Sequence, residues 1–89
     1  EINGILQSSL FDGISIFPSP AKEWVQIDGV SPKYGELKLQ VFSAKGKLWK
    51  TLSLNRNMKI AVSDWPIGTY FFRVEMAGHS KLFPTVIAN

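Results

Sequence analysis

The chain has 89 residues, of which 45% are hydrophobic and 19% charged, a composition that describes one globular domain rather than a disordered segment. It contains no cysteine, which excludes a disulfide framework, thiolate chemistry and a cysteine-based zinc site. The net charge of +3 is mild and its basic residues are scattered, so no nucleic-acid-binding face is predicted.

The sequence also carries no sign of a membrane segment. No apolar run approaches the roughly 18 residues that a spanning helix needs, and no signal peptide is visible. We therefore expect no direct membrane insertion. Because the chain starts at Glu1 without an initiator methionine, we expect it to be part of a larger protein.

The first residues predict a linker that leads into a strand. Apolar residues within 1–13 keep no period and are mixed with residues that break structure, so we assign 1–13 to a leading segment and 14–89 to the domain. Residues 14–17 then form a first predicted strand. Pro18 and Pro20 end it, since a proline cannot donate to a β-ladder.

Two strands with a period of two follow, at residues 23–28 and 36–42, separated by a loop over residues 29–35. Trp24 is predicted on the face of the first strand that points away from the core. The second strand alternates most cleanly in the whole chain, so it is predicted to be half-buried.

A hairpin turn is predicted at residues 44–47, where Gly46 supplies the positive φ that such turns need. The returning strand spans residues 48–54. Its core-facing side stays open between two sets of residues: Trp49 and Thr51, or Leu48, Leu52 and Leu54.

The remaining sequence predicts three more strands, at residues 58–62, 69–76 and 81–87. The first two are joined by a corner over residues 63–68, and the last two by a hairpin turn over residues 77–80. Pro84 lies within the final strand. It is expected to remove one ladder hydrogen bond and to place that strand at a sheet edge or at a bulge.

These elements predict an all-β fold, an antiparallel β-sandwich of about seven strands with no helix of ordinary length. Two facing sheets would pool one set of alternating side chains into a single core. The predicted core residues are Val25, Ile27, Leu37, Leu39, Val41, Ile60, Val62, Tyr70, Phe72 and Val74.

No residue pattern in the chain predicts catalysis, a metal or a cofactor. The lone histidine, His79, lies in a turn, where a solvent-facing side chain is far more common than a catalytic one. The carboxylates form no spaced pair, and the sequence has neither a phosphate-binding loop nor a nucleophile elbow. We therefore predict that the chain is not an enzyme and binds neither metal nor cofactor.

Two of the three tryptophans, and the lysines near the first hairpin, each allow two interpretations. Trp65 is expected to fill the core. Trp24 and Trp49 either cover a sheet edge or offer exposed aromatic contacts to a sugar or a partner. The lysines at the hairpin form a solvated tip that protects a sheet edge, or else a binding patch. These lysines are Lys45, Lys47 and Lys50.

Four ordered segments together resemble the C-terminal sorting domain of type IX secretion, type A. Residues 18–21 resemble its opening Pro-Asn-Pro-Ala motif, and residues 41–47 its central hairpin. Residues 60–70 resemble its "apolar-x-apolar … Leu-x-x-Gly-x-Tyr" segment, and residues 81–87 its lysine-led terminal strand. The matched motif residues are Pro18, Pro20, Gly46, Lys47, Gly68, Tyr70 and Lys81. Three positions depart from the pattern: Ser19, Ser43 and Pro84.

The resemblance implies an immunoglobulin-like sandwich and a function in export. It implies that the domain directs a cargo protein across the outer membrane of a Bacteroidetes-type bacterium, through the periplasm to the cell surface or the medium. The implied partners are the type IX translocon and a sortase-like attachment machinery, which usually removes the domain. Edge-strand pairing or dimerisation is a further expected mode of contact.

Three alternatives stay open. The first is a retained domain of a surface attachment complex. The second is a sugar-binding sandwich, which requires Trp24 and Trp49 to share an exposed face. The third is a passive spacer, which, unlike a sorting domain, need not end its chain.

Overall fold

The structure, a computed structural model, describes residues 13–30 and 36–88. The predicted leading segment, apart from Gly13, and most of the loop predicted at residues 29–35 lie outside the described residues. The described part contains strands and no helix. The strands are β1 (Ser15–Phe17), β2 (Trp24–Asp28), β3 (Leu37–Ser43), β4 (Leu48–Leu54), β5 (Met58–Ala61), β6 (Gly68–Met76) and β7 (His79–Ile87).

Two antiparallel sheets face each other. One has three strands in the order β1-β2-β5, and the other has four in the order β4-β3-β6-β7. The chain therefore crosses between the sheets after β2, after β4 and after β5, as in Greek-key sandwiches of the immunoglobulin type. The predicted all-β, immunoglobulin-like sandwich is confirmed.

The core lies between the sheets and is built from alternate residues of the strands. Every residue predicted for the core is buried, and Trp65 joins them with 7% of its surface exposed. Each large side chain that is fully buried stabilises the fold by on the order of 1.5–3 kcal/mol. The inward side chains of β3, Leu37, Leu39 and Val41, therefore contribute a large part of the folding free energy. Other buried residues complete the core, namely Ile14, Ala21, Val30, Leu54 and Ile87.

A β-bulge in β4 settles which side of that strand faces inward. Val41 pairs with Lys50, but Phe42 pairs with Leu48, so Trp49 is the extra residue. The shift reverses the alternation, because one inserted residue exchanges the two faces of a strand. Neither predicted set is therefore correct as a whole: Leu54 is buried and Leu52 half-buried, Leu48 is exposed, and the ring of Trp49 packs on Trp65.

The final strand is an edge strand, as Pro84 predicted. The prediction that Pro84 removes one ladder hydrogen bond was wrong. The register between β6 and β7 runs without a shift from Gly68↔Ile87 to Met76↔His79, with Pro84 opposite Phe71. Strand residues point their N–H and C=O groups alternately to either side. Both the N–H and the C=O of Val86 bond to residues outside β6, so Pro84, two residues earlier, points the same way. Its nitrogen faces away from β6, and no bond to β6 is lost.

Candidate functional site

The motif residues fall into three places on the sandwich. Gly46 and Lys47 lie in the turn between β3 and β4, beside the corner that carries Gly68 and Tyr70. Pro18 and Pro20 lie in the proline segment, residues 18–21, whose Ser19 and Ala21 bond to the end of β7. Lys81 lies near the opposite end of that strand. The structure thus brings together the hairpin and the corner, and separately joins the proline segment to β7.

Tyr70 fastens the corner to β6. Its hydroxyl donates to the carbonyl oxygen of Pro66 over 2.8 Å, the arrangement known as a tyrosine corner in immunoglobulin-like domains. Its ring centroid lies 5.2 Å from that of Trp65 and 5.9 Å from that of Trp49. Burial removes the phenol from water and raises its pKa above the ordinary value of 10.0. Tyr70 therefore holds the motif corner in shape.

The two motif glycines serve backbone conformations that other residues rarely adopt. Gly46 has a φ of 84° and closes the hairpin, where its N–H donates to the carbonyl oxygen of Ser43 over 2.9 Å. Gly68 has a φ of 155° and starts β6 directly after the corner. Both positions favour glycine because it has no Cβ.

A groove of about 450 Å³ separates the hairpin turn from the corner. Trp49 and Ile67 form part of its lining, and they are 40% and 68% exposed. Lys45 also lines it. The groove is a shallow, partly apolar surface with a positive rim.

The proline segment is bound along the outer edge of β7. The N–H of Ala21 donates to the carbonyl oxygen of Val86, and the N–H of Ala88 donates to the carbonyl oxygen of Ala21, both over 2.8 Å. These bonds form a parallel bridge between Ala21 and Ile87, which are both fully buried. The N–H of Val86 donates to the hydroxyl of Ser19 over 3.1 Å.

The sequence did not reveal these contacts. Ser19 and Ala21 lie more than sixty positions from Val86 and Ala88, the residues that they contact, and neither belongs to a strand pattern. In the sequence, Ser19 stands where the family has an asparagine. An asparagine side-chain oxygen could accept the same hydrogen bond, so the departure preserves the acceptor.

Trp24 and Trp49 lie on different sheets and do not share a face. Trp24 is on the outer side of the three-stranded sheet, where the ammonium group of Lys59 lies 4.4 Å from its ring centroid. Trp49 is on β4 of the four-stranded sheet, and its ring centroid lies 6.0 Å from that of Trp65. The shared aromatic surface that a sugar-binding sandwich requires is therefore not formed by this pair.

The described residues contain no group of three or more histidine, cysteine, aspartate or glutamate side chains that could hold a metal ion. His79 begins β7 and is half-buried. In the same part of the chain, no helix has the length and apolar character needed to cross a bilayer. Lys45, Lys47 and Lys50 are all exposed, as a hairpin tip requires.

A sequence model of the family described as "Secretion system C-terminal sorting domain" matches residues 15–88. The chain belongs to this family, the sorting domains of type IX secretion. No curated protein matches the chain. Membership makes this a C-terminal sorting signal, and it implies contact with the secretion machinery and export across the outer membrane toward the cell surface or the medium. The family is not a family of enzymes.

Proposed function

We propose that the domain directs an attached cargo protein from the periplasm through the type IX translocon, and that the translocon recognises β7 together with the hairpin turn before it, at Ala77 and Gly78. After transport, a sortase-like peptidase at the cell surface removes the domain. The sandwich itself supplies no chemistry. It presents backbone edges and turns in a fixed arrangement that a partner can bind.

The observation that carries this proposal is the placement of β7. It is the outer strand of the four-stranded sheet, and it is the last strand of the described chain. Leu82 and Val86 on this strand are 54% and 41% exposed. An edge strand is the easiest element of a sheet to extend or to release, because only one neighbouring strand holds it.

The test is a fusion of the chain to a periplasmic reporter in a bacterium that has the secretion system. Removing residues 81–89 should stop export, whereas Trp24→Ala should leave export unchanged. Surface protease accessibility of the reporter measures both. If the truncated fusion still reaches the surface, the signal lies elsewhere, and the segment at residues 18–20 becomes the next candidate.

The truncation also removes buried core residues, so a variant that keeps the core is needed beside it. Lys81→Glu reverses one exposed charge on β7, and Lys38→Glu makes the same change on β3 as its control. Lower export for the first alone supports recognition of β7. Equal export for both, with both domains folded, counts against it.

A further inference from the structure

The outer edge of β7 has two halves with different contacts. Both the N–H and the C=O of Val86 bond to the segment at residues 19–21 and therefore point away from β6. The register with β6 has no shift along β7, and strand residues alternate in direction, so the groups of Ser80, Leu82 and Pro84 point the same way.

The segment at residues 19–21 covers only the half of the edge near the C-terminal end of β7. It satisfies the N–H and C=O of Val86 and the N–H of Ala88. Among residues 13–30 and 36–88, no backbone group bonds to the outward N–H and C=O groups of Ser80 and Leu82. Pro84 brings an outward carbonyl but no donor.

We infer that residues 80–84 form a short strand-addition site for one extended segment of a protein partner, and that residues 19–21 act as a built-in clamp that closes the rest of the edge. This inference rests on the proposed function and deepens it, since it names the backbone groups through which β7 is recognised. The clamp pairs with β7 through one parallel bridge between Ala21 and Ile87, so the backbone of this edge already binds another segment of the chain.

The side chains along the open half define the chemistry of the partner segment. Leu82 lies on the outer face of the sheet beside a groove of about 340 Å³ that Phe42 and Phe71 also line. Lys81 points to the opposite face, is exposed, and holds its ammonium group 5.3 Å from the ring centroid of Phe83. The segment that fits alternates an apolar side chain beside Leu82 with an acidic side chain near Lys81.

A second copy of this chain fits the open half less well. In a symmetric pair centred on Leu82, Pro84 of each copy would face Ser80 of the other. Such a pair would lack two hydrogen bonds, one at each Pro84, because proline has no N–H. A foreign strand paired with one copy would lack only one. Pro84 also shortens the stretch of edge that can pair, and Lys81 gives it a positive charge. Both features limit non-specific pairing with other strands.

Ser19 sets the boundary of the clamp. Its hydroxyl is the acceptor for the outermost clamped group, the N–H of Val86. Ser19→Ala removes that acceptor, and Ser19→Asn keeps an oxygen at a similar reach. Ser53→Ala, at an exposed serine of β4, is the matched control.

Amide hydrogen exchange of the folded chain tests the division of the edge. We expect the amide of Val86 to exchange slowly and those of Ser80 and Leu82 to exchange fast. Ser19→Ala should accelerate Val86 roughly three- to tenfold, the loss of one hydrogen bond, while Ser19→Asn and Ser53→Ala do not. Exchange of Val86 as fast as that of Leu82 in the parent chain, or no response to Ser19→Ala, overturns the clamp.

Leu82→Pro tests the partner site. It removes the outward N–H without costing a bond to β6, as Pro84 already does two residues on, so the domain should keep its melting temperature. Export of the fused reporter should fall about tenfold or more, whereas Leu82→Thr, which keeps the N–H, should export well. Ser80→Pro is the second variant, in case Leu82→Pro does not fold.

The outcomes separate this inference from the proposed function. If the truncation of residues 81–89 blocks export but the folded proline variants export normally, the sorting role stands and strand addition at this site is wrong. If Leu82→Thr loses as much export as Leu82→Pro, the side chain is recognised instead of the backbone. If the parent sediments as a dimer and Leu82→Pro as a monomer, the occupant is a second copy. If neither truncation nor proline reduces export, the proposed function itself fails.

Discussion

Tyr70 is buried at the base of the corner, and its hydroxyl donates to the carbonyl oxygen of Pro66 over 2.8 Å. The alternation of β6 predicts Tyr70 in the core, and the family resemblance makes it a motif residue together with Gly68. The bond to Pro66 gives both assignments one physical cause. A tyrosine at this position fills the core and also ties the corner to the strand that follows.

Tyr70→Phe should lower the free energy of unfolding by about 1 kcal/mol near neutral pH, since one partly buried hydrogen bond is lost. The pKa of Tyr70 is raised in the folded state, so the unfolded chain releases the phenol proton first as the pH rises. The advantage of the tyrosine is therefore complete below its ordinary pKa of 10.0 and shrinks above that pH. Urea denaturation of both chains across this range measures the difference. A difference in unfolding free energy that stays constant through the alkaline range, or no difference at neutral pH, would contradict this role of the hydroxyl.

Single residues also mark the limit of what the sequence could tell. The placement of Trp24 on the face away from the core followed from its position opposite Val25 and Ile27, whereas its exposure stayed open. The position of Trp49 did not follow, because a bulge inserts one residue and the period of two then predicts the wrong face. Ser19 contacts β7 only through the fold, and no local pattern indicates such a contact.

At the scale of the strands, the elements with strict alternation were predicted to within two residues. β3 has the cleanest period, and its inward residues Leu37, Leu39 and Val41 are all buried. β7 begins earlier than predicted, at His79, because the turn before it needs only two residues. Ala77 and Gly78 have φ values of 51° and 85°, the positive pair that a tight type I′ hairpin requires.

β7 carries one polar side chain in the core. Thr85 is fully buried, and its hydroxyl has no hydrogen-bond partner among the described residues. A buried polar group without a partner costs about 1–3 kcal/mol. The strand proposed for recognition therefore contains a local weakness, next to its clamp at Ala21.

Thr85→Val should raise the free energy of unfolding by about 1 kcal/mol, because a methyl group replaces the unpaired hydroxyl at nearly the same volume. Thr69→Val, at a half-buried position of β6, is the control and should change stability little. Chemical denaturation of the three chains gives the comparison. A loss of stability for Thr85→Val that exceeds the change in the control would mean that the hydroxyl is bonded in solution.

For the whole molecule, composition and strand pattern were enough to predict the sandwich and its core, since two facing sheets bury whatever alternates along their strands. They were not enough to predict function. The described residues form no metal cluster; Gly46 and Tyr70 hold the hairpin turn and the corner, and the segment at residues 19–21 bonds to the edge of β7. The sorting role follows from the family match over residues 15–88.

The sorting role is tested most directly with the intact chain. Residues 1–89 are fused to the end of a periplasmic reporter and expressed in a bacterium that has the type IX system and in the same strain without its translocon. The reporter should appear at the cell surface or in the medium of the first strain and remain in the periplasm of the second. Equal surface levels in both strains, or retention of a folded fusion in both, would contradict the assignment.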